Sequence, residues 1–350
     1  MKILIIYGGF KFNVGGVNQH AENLKKGFEI LGHSSEIIRL DSLPIYLRYI
    51  PHIVERAINI INFPTGFYYK GRVTQFLYRM IIKKQDYDAL IFEDIYIGWK
   101  SEAKSMTWMH AVWSDNLHSF EHIEYADTKL KLLEVKLIND TKNTIATVSH
   151  EYRSFLINEH FKSKLRKSID VIPLGIDQSN FKQQSSNQIK PNLIYCGALE
   201  KRKNISFLLK VYEKVKKTLP ESSLTIIGDG PDSKELRKVS KENNLDVNFL
   251  GKRNHGELIK ELYKNSIYIH TSKKESFSYS LLESKLAGLI TIAHDQLQVP
   301  YEFIDIRVKK FDVNEWHQAI IQAVQGVMKE ANLSGYTLEA MAKNTLNKLQ

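Results

Sequence analysis

Short apolar runs alternate with longer amphipathic stretches along the first half of the chain. The run KILIIY at residues 2–7 predicts a buried strand, and a glycine-containing loop leads from it into a helix predicted from Asn18 to Leu31. The runs SSEIIRL, DALIF, MTWM and TIATV predict further strands, the last followed by Ser149 as a helix cap. Strands that alternate with helices are typical of a parallel sheet covered by helices. The first half therefore predicts a Rossmann-like α/β domain.

The same alternation restarts after a polar, irregular segment. QQSSNQIKPN at residues 183–192 predicts a linker, because it shows no apolar periodicity. Beyond it, the runs NLIYCGA, SLTII, VNFLG and SIYIHTS predict four strands with helices between them. The second half therefore predicts another parallel sheet and a second α/β domain.

The stretch from Lys273 to Gly288, KKESFSYSLLESKLAG, turns from a loop into a helix directly after the last of these strands. Ser278 or Ser280 is predicted to cap the helix, and Gly288 is predicted to end it. The free backbone N–H groups of the first turn would attract a phosphate. One face of the helix is predicted to be apolar, and it is formed by Leu281, Leu282, Leu286 and Leu289.

Two glutamates, Glu275 and Glu283, lie on either side of this predicted phosphate position. Glu283 lies one turn into the helix, where its carboxylate could accept hydrogen bonds from the hydroxyl groups of a ribose. Glu275 lies on the loop before the helix. A surface helix with two solvated glutamates fits this stretch equally well when the stretch is taken alone.

A second loop, GALEKRKN at residues 197–204, follows another strand of the same predicted sheet and carries three consecutive cations. A run of cations is most often a solvated surface. However, the carboxyl ends of parallel strands lie at one edge of a sheet, where Arg202 and Lys203 could hold a diphosphate together with the helix at Ser278. The two loops together favour phosphate binding.

The first half adds two weaker candidates. Gly15 and Gly16 lack the G-x-G-x-x-G spacing, which excludes a dehydrogenase-type dinucleotide loop. They either let a ligand approach the backbone closely or form a simple tight turn. His110 directly follows the run MTWM, at the strand end where ligands gather, although a lone histidine is more often structural. Asp86 and Asp88 precede their strand and so lie at the wrong end for a metal site.

The composition also indicates the cellular compartment of the protein. The 350 residues suffice for two domains of about 150 residues each. The single cysteine, Cys196, excludes an internal disulfide and fits a reducing compartment. We expect no signal peptide, and no apolar run approaches the ~20 residues that span a bilayer. A cytoplasmic protein is therefore predicted.

The net charge of +10 implies attraction to an anionic partner, and nucleic acid, a membrane surface and a phosphorylated substrate all qualify. Within residues 45–84, seven Lys or Arg face one acid, Glu55, and eight Tyr or Phe are interleaved with them. This composition favours either a surface that contacts an anionic membrane or solvated helices whose aromatic residues belong to the core. The apolar periodicity does not define a single amphipathic face, so both interpretations stay open.

Taken in order, these loops resemble glycosyltransferase family 4, the retaining nucleotide-sugar transferases of GT-B fold. The resemblance covers nearly the whole chain. Its motifs in this sequence are GGVNQHAENLKKGFEILGH, WMH, ATVSHEYRSFL, IPLGIDQSNF, CGALEKRKN, IIGDGP, FLGKRNHGEL, ESFSYSLLESKLAG and YTLEAMAKNTLNKL. Each motif is weak alone, but their order and spacing together are specific.

The resemblance implies a GT-B architecture, with two Rossmann-like domains whose parallel sheets face a central cleft. Residues 1–180 would form an N-terminal acceptor-binding domain, and residues 181–325 a C-terminal domain that binds the nucleotide sugar. Residues 326–350 would form a helix that returns to the N-terminal domain.

The resemblance also implies roles for individual residues. Arg202 and Lys203 match cations on the donor diphosphate, Glu283 matches the ribose-binding glutamate, and Glu275 matches the one near the transferred sugar. The implied catalytic residues are His110, Glu275, Arg202 and Lys203. The implied donor-binding residues are Gly16, Arg202, Lys203, Phe277, Ser278, Tyr279 and Glu283. At three positions the family more often has Gly, Gly and Pro, and this chain has Ser276, Ser278 and Ser280.

The implied activity is transfer of a hexose or N-acetylhexosamine from a nucleoside diphosphate to a hydroxyl group, with retention at the anomeric carbon. The acceptor would be a saccharide, a lipid-linked saccharide or a cell-surface polymer, as in polysaccharide biosynthesis at the inner face of a membrane. No cofactor or essential metal is expected, since the sequence shows no cluster of metal-ligand residues.

Two other functions are compatible with parts of the sequence. A non-catalytic GT-B subunit would bind a partner transferase, but the intact Arg202, Lys203, Glu275 and Glu283 argue against it. A nucleic-acid-binding protein would use the basic excess and show a steep dependence of binding on salt. We expect no nucleic-acid partner.

Overall fold

A computed structural model of the protein describes residues 1–11, 15–82, 86–116, 126–181, 190–326 and 331–349. They form two compact units. The first unit combines Met1–Asp177 with Ser334–Gln350, and the second is Gln178–Leu333. The sequence places the corresponding divisions at 180/181 and 325/326. Most of the predicted linker, residues 183–189, lies outside the described residues.

Each unit contains one six-stranded sheet. The strands of the first are β1 (Lys2–Ile6), β2 (Ser34–Ile38), β3 (Ala89–Phe92), β4 (Lys104–Met109), β5 (Thr144–Thr147) and β6 (Asp170–Val171). The strands of the second are β7 (Asn192–Cys196), β8 (Ser223–Ile227), β9 (Val247–Gly251), β10 (Ile267–His270), β11 (Ile290–His294) and β12 (Ile306–Val308). The spatial orders are β2-β1-β3-β4-β5-β6 and β12-β11-β10-β7-β8-β9. All pairings are parallel, as the sequence predicts.

Helices connect the strands. Those of the first unit up to residue 177 are α1 (Gly16–Ile30), α2 (Ile50–Asn62), α3 (Gly66–Ile81), α4 (Trp113–Asn116), α5 (Ala126–Asp140) and α6 (His150–Phe155). Those that follow are α7 (Ile205–Thr218), α8 (Ser233–Glu242), α9 (His255–Leu262), α10 (Tyr279–Leu286), α11 (Val313–Val324) and α12 (Leu338–Lys348). The predicted cap at Ser149 is confirmed, since its hydroxyl accepts from the backbone N–H of Tyr152 at 3.0 Å.

The core of each unit lies between its sheet and the helices that cover it. In the first unit, Ile6 and Phe92 pack with Tyr78 of α3, whose hydroxyl donates to the carbonyl of Tyr7 at 2.7 Å. In the second, residues of β7, β10 and β11 pack against α7 and against Trp316 of α11. β3 is buried at every residue, which explains why its sequence is continuously apolar rather than alternating.

The last helix, α12, packs on α1 within the first unit. A Cβ atom added to Gly27 of α1 would lie 2.4 Å from the carbonyl oxygen of Leu338, so only glycine permits this approach. A parallel bridge between Ile176 and Thr337 joins the same C-terminal segment to the end of the preceding part of the unit.

The segment with the basic and aromatic composition forms the two helices α2 and α3. Lys83 and Lys84, at its end, lie outside the described residues. No helix in the described part of the chain has both the length and the apolar character that a membrane crossing requires.

Candidate functional site

In the second unit, the loops after β7 and β10 are joined by hydrogen bonds to backbone carbonyl groups. The hydroxyl of Thr271 donates to the carbonyl of Lys203 at 2.9 Å, and the N–H of Lys273 donates to the carbonyl of Arg202 at 3.1 Å. β7 and β10 are neighbours in the sheet, so their carboxyl ends bring both loops to one edge. The structure thus brings together the two loops that the sequence predicts to bind phosphate.

Both predicted diphosphate cations contact a carboxylate. The ammonium of Lys203 forms a short ion pair with Glu275, and Nη1 of Arg202 lies 3.7 Å from Oε2 of the same glutamate. Arg202 also donates to Oε1 of Glu200 at 2.9 Å and to the carbonyl of Lys274 at 3.1 Å. The side chains of Arg202, Lys203 and Glu275 are between 12% and 29% exposed. A bound anion would therefore meet two cations that are already held in place.

Glu275 is ionised in this setting. Burial by itself raises the pKa of Glu275, but Lys203, His270 and Arg202 together hold it well below its usual range. Nε2 of His270 lies 3.3 Å from Oε1 of Glu275, and its Nδ1 lies 3.0 Å from the hydroxyl of Tyr268. Burial lowers the pKa of His270, so its imidazole is neutral at pH 7.

The helix α10 begins where the sequence predicts. Ser278 is its N-cap, and the Ser278 hydroxyl accepts from the backbone N–H of Leu281 at 3.4 Å. Ser278 has φ 72° and ψ 92°, a left-handed conformation that glycine adopts with less strain. The hydroxyl of Ser280 contacts that of Ser278 at 3.2 Å and accepts from Tyr268 at 2.8 Å. Gly288, with φ 82°, follows the helix end as predicted.

Glu283 lies inside α10 and is largely buried. Its Oε1 is 3.1 Å from Nε2 of His255, the first residue of α9. Asn254 caps α9 and forms a reciprocal capping box with Glu257, which fixes the start of that helix. The carboxylate that the sequence assigns to a ribose is thus oriented by a side chain from the start of α9.

The side chain of Phe277 is part of the core. It is 3% exposed, and its ring lies 5.1 Å from that of Phe303 and 5.6 Å from that of Tyr279, centroid to centroid. Any contact of Phe277 with a ligand is therefore left to its backbone.

The remaining two predicted residues, His110 and Gly16, belong to the first unit. His110 directly follows β4 and is 9% exposed. Gly16 is the first residue of α1, and His20 lies one turn further along the same helix. Residues 12–14 of the preceding loop lie outside the described residues.

His110 is held by a buried carboxylate. Its Nε2 lies 2.8 Å from Oε2 of Glu93, the residue that follows β3, and Nδ1 of His20 lies 2.7 Å from the same oxygen. Because a carboxylate only accepts, each imidazole donates to Glu93 from that nitrogen. In a neutral His110 this leaves Nδ1 without a proton, so Nδ1 can accept a hydrogen bond.

The charges of this cluster follow from its burial. Burial by itself raises the pKa of Glu93, but the contacts with His20 and His110 outweigh it and lower the pKa to about 2. Burial lowers the pKa of His110, as does the nearby His20. The cluster at pH 7 is therefore a carboxylate that orients a neutral His110.

The same three side chains have the chemistry of a metal site. The ligand atoms of His20, Glu93 and His110 all lie within 4.8 Å of one another, and two imidazoles with one carboxylate suit Zn²⁺. The hydrogen bonds described above account for the same geometry without an ion. The expectation of no essential metal stays a prediction.

Four residues of these clusters were not singled out by the sequence: His20, Glu93, His255 and His270. Glu93 and His270 each lie at the carboxyl end of a predicted strand, and this position was the one available signal. His20 and His255 lie in helices, where nothing local distinguishes them from surface residues.

Residues 177–345 match the family model described as glycosyl transferases group 1. The chain is 26% identical, over 169 residues, to the UDP-N-acetylglucosamine–peptide N-acetylglucosaminyltransferase GtfA subunit of Streptococcus pneumoniae, covering 48% of this chain and 33% of that protein. It is 23% identical, over 328 residues, to the alpha-monoglucosyldiacylglycerol synthase of Acholeplasma laidlawii, covering 85% of this chain and 81% of that protein. The chain spans about one third of the length of the first curated relatives it matches.

Among solved structures, sucrose-phosphate synthase from Thermosynechococcus elongatus matches with a TM-score of 0.76 and 15% identity. The match covers 99% of this chain and 97% of that chain. At this identity the likeness shows the fold alone. The two six-stranded parallel sheets with their helices form the GT-B fold, as the sequence predicts.

Proposed function

We propose, on the premise that this chain is a member of the glycosyl transferases of group 1, that it moves a sugar from a nucleoside diphosphate to an acceptor hydroxyl group. The observation that carries the proposal is the cluster of Arg202, Lys203 and Glu275 beside the N-terminus of α10. It combines two held cations, a helix N-terminus and an ionised carboxylate at one sheet edge, which suits a diphosphate linked to a sugar.

In the proposed reaction, the diphosphate gains negative charge as its bond to the sugar breaks. Arg202 and Lys203 stabilise that charge, because they are in place before the reaction and need little reorganisation. Glu283 holds the ribose, oriented by His255. Glu275 lies near the transferred sugar, and its ionisation lets it accept hydrogen bonds from sugar hydroxyl groups. His110 is assigned to the sugar and its phosphate, and Gly16 to the diphosphate, by the resemblance.

We further propose that the anomeric configuration is retained. Since Glu275 and Glu283 both have binding roles, the acceptor attacks from the face that the diphosphate leaves, and the acceptor proton passes to a phosphate oxygen. The positive charge comes from Arg202 and Lys203, so transfer needs no essential metal or cofactor. Transfer should continue after treatment with a chelator.

A uridine nucleotide is the favoured donor, because the Streptococcus pneumoniae relative is named for UDP-N-acetylglucosamine. The sugar would be a hexose or an N-acetylhexosamine. The proposed acceptor is a saccharide, a lipid-linked saccharide or a cell-surface polymer, and the lipid product in the name of the Acholeplasma laidlawii relative supports the lipid-linked class. The protein would then act in the cytoplasm, at the inner face of a membrane.

The experiment that tests the proposal begins with thermal unfolding in the presence of uridine, guanosine and adenosine diphosphates and their sugars. A ligand at about 100 times its Kd stabilises the folded protein by about 2.7 kcal/mol, which is readily measured. We expect one nucleotide series to raise the Tm. The sugar of that series is then incubated with saccharide and lipid-linked acceptors, and NMR of the product assigns the anomer.

The other outcomes are informative. An inverted product contradicts the proposed stereochemistry. Binding of a nucleotide sugar without hydrolysis or transfer would favour the non-catalytic subunit. Binding of nucleic acid that falls steeply with salt and is not displaced by a nucleoside diphosphate would favour the nucleic-acid-binding function.

A further inference from the structure

The segment that contains α2 and α3 carries most of the exposed large hydrophobic side chains in the described part of the chain. Among the described residues, eleven of the fifteen exposed large hydrophobic side chains lie between residues 45 and 81. Single exposed hydrophobic residues are ordinary, but a concentration of them marks an interaction surface. The most exposed are Ile61 at 87% and Ile60 at 86%.

On α2 the exposed residues form one stripe. Tyr49, Ile53, Ala57 and Ile60 with Ile61 follow one another at intervals of three or four residues, which places them on one face of the helix. Of the thirteen residues of α2, only Pro51 is buried. A helix on the surface of a water-soluble domain normally turns polar residues outward, whereas the exposed residues of α2 are apolar except for Arg56.

α3 packs against α2 and carries exposed apolar residues of its own. One side of α3 is buried through residues such as Leu77 and Tyr78 in the core of the unit. Its exposed side carries Tyr69, Phe76 and Met80, spaced by seven and four residues. We call the exposed stripes of the two helices the α2–α3 face, which comprises Tyr49, Ile53, Ala57, Ile60, Ile61, Tyr69, Phe76 and Met80.

The two helices are already packed against each other. Lys70 of α3 pairs with Glu55 of α2 at 2.6 Å, and the N–H of Gly66 donates to Oδ1 of Asn59 at 2.9 Å. A Cβ atom at Gly66 would lie 2.3 Å from the carbonyl oxygen of Glu55, so the backbones approach closely. The side chains of the α2–α3 face are therefore exposed even though the two helices pack against each other.

The charged residues of this segment are mostly positive. Residues 45–82 contain five cations and a single acid, and that acid, Glu55, is paired with Lys70. Arg56 and Arg79 are exposed. Apolar and aromatic side chains interleaved with Arg are the composition of helices that lie in the interface of an anionic bilayer. A protein partner with an acidic surface would use the arginines but would not need so many isoleucines turned outward.

We infer that the α2–α3 face docks on an anionic membrane surface, with isoleucine and aromatic side chains inserted at the level of the headgroups and with Arg56 and Arg79 against lipid phosphates. The inference deepens the proposed function, and it rests on that function only in supplying a lipid-linked acceptor. Binding to vesicles needs no sugar transfer, so the two proposals fail separately.

The test is sedimentation of the full chain with vesicles of phosphatidylcholine alone and of phosphatidylcholine mixed with phosphatidylglycerol. We expect binding to the mixed vesicles that weakens as salt is raised, and little binding to the neutral ones. The double variant Ile60→Ser with Ile61→Ser should lower the partition coefficient at least about tenfold, because it removes the two most exposed apolar side chains. The double variant Arg56→Gln with Arg79→Gln should remove most of the salt dependence.

Matched controls use the same substitutions elsewhere. Ile30→Ser changes an exposed isoleucine at the end of α1, and Lys234→Gln with Lys241→Gln removes two exposed cations of α8. Both should sediment as the unchanged protein does. Circular dichroism and the Tm shift with a nucleoside diphosphate, which should be the same in all variants, show that each is folded and has a working nucleotide site.

Three results would overturn the inference. The first is equal sedimentation with and without anionic lipid. The second is undiminished binding of the variant that lacks Ile60 and Ile61. The third is a dimer in gel filtration that dissociates in that variant, with no vesicle binding, since the face would then be an interface between two copies of the chain.

Discussion

Each unit has a carboxylate with a depressed pKa in the chain that follows a strand of its parallel sheet, but the two carboxylates have different partners. Glu93 directly follows β3 and is buried, whereas Glu275 lies on the loop after β10 and its side chain is 12% exposed. Glu93 contacts two imidazoles, whereas Glu275 contacts Lys203, Arg202 and only one imidazole. The first arrangement orients a neutral hydrogen-bonding group. The second keeps permanent positive charge where an anion can reach it.

The comparison shows that the parallel sheet determines where each carboxylate lies, and that the side chains in contact with the carboxylate determine what the site can bind. The carboxyl edge of a parallel sheet gathers loop residues in both units. The cations around Glu275 suit a site that attracts phosphate. The imidazoles around Glu93 suit a site in which the carboxylate fixes the tautomer of His110. The following predictions test whether the two carboxylates differ in this way.

The largest effect is expected when Glu93 is removed. Glu93→Ala leaves the N–H groups of His20 and His110 buried without an acceptor, each costing about 1–3 kcal/mol, so the free energy of unfolding should fall by about 4 kcal/mol. Glu275→Ala should cost less, because Lys203 and Arg202 are partly exposed and can turn to solvent. Urea unfolding of both variants measures this. Equal losses would contradict the contrast between the two sites.

Lowering the pH should destabilise the protein by protonating Glu93. The pKa of Glu93 falls from 4.5 to about 2 on folding, so its contribution is fully present above pH 4.5 and is lost as pH falls toward 2. Across this pH range, the ionisation of Glu93 contributes about 3 kcal/mol to the free energy of unfolding. Glu275, whose pKa is also depressed, should contribute to the same loss. Urea midpoints should therefore fall between pH 4.5 and pH 2, and Glu93→Gln should make that fall smaller.

Nucleotide affinity should depend on the second site. Lys203→Met removes a cation that would bind the diphosphate, so the Kd for the preferred nucleoside diphosphate should rise by about tenfold or more, or ~1.5–3 kcal/mol. Lys201→Met is the matched control, since Lys201 belongs to the same short turn but is exposed. Calorimetric titration of both variants is the measurement. If Lys201 proves as important as Lys203, the cations act only as a diffuse charge.

The smallest effect concerns the start of α10. Ser278→Gly relieves a left-handed backbone and loses the cap hydrogen bond, which glycine replaces at a cost of only a few tenths of a kcal/mol. We expect a net stabilisation of about 0.5 kcal/mol, read as a small rise in Tm. Ser280→Gly, at a position without positive φ, should lower the Tm because it loses the bond from Tyr268.

The sequence predicted features whose signal is local. The cap at Ser278, the strand before it and the cations of the turn at 201–203 are each encoded within a few neighbouring residues. His20, Glu93, His255 and His270 were missed because their partners come from distant strands and helices. His20 and Glu93 are 73 residues apart in the chain, and neither has an unusual neighbourhood until the sheet is formed.

The segment at 45–84 shows a different reason for ambiguity. Its periodicity defines no single amphipathic face because the apolar residues of α2 occur at both partly buried and exposed positions. A helix of this kind contains two superimposed patterns. Only the packed structure assigns each isoleucine to one of them.

The contact of Gly27 with α12 has a consequence for biosynthesis. The strands of the first unit end at Val171, but the helix that covers Gly27 begins at Leu338. At about 5–20 residues per second, a ribosome needs roughly ten to thirty seconds to make the intervening chain. The second unit is contiguous and can fold during that interval. The first unit, although made first, is completed last, and until then α1 presents an uncovered surface to chaperones and proteases.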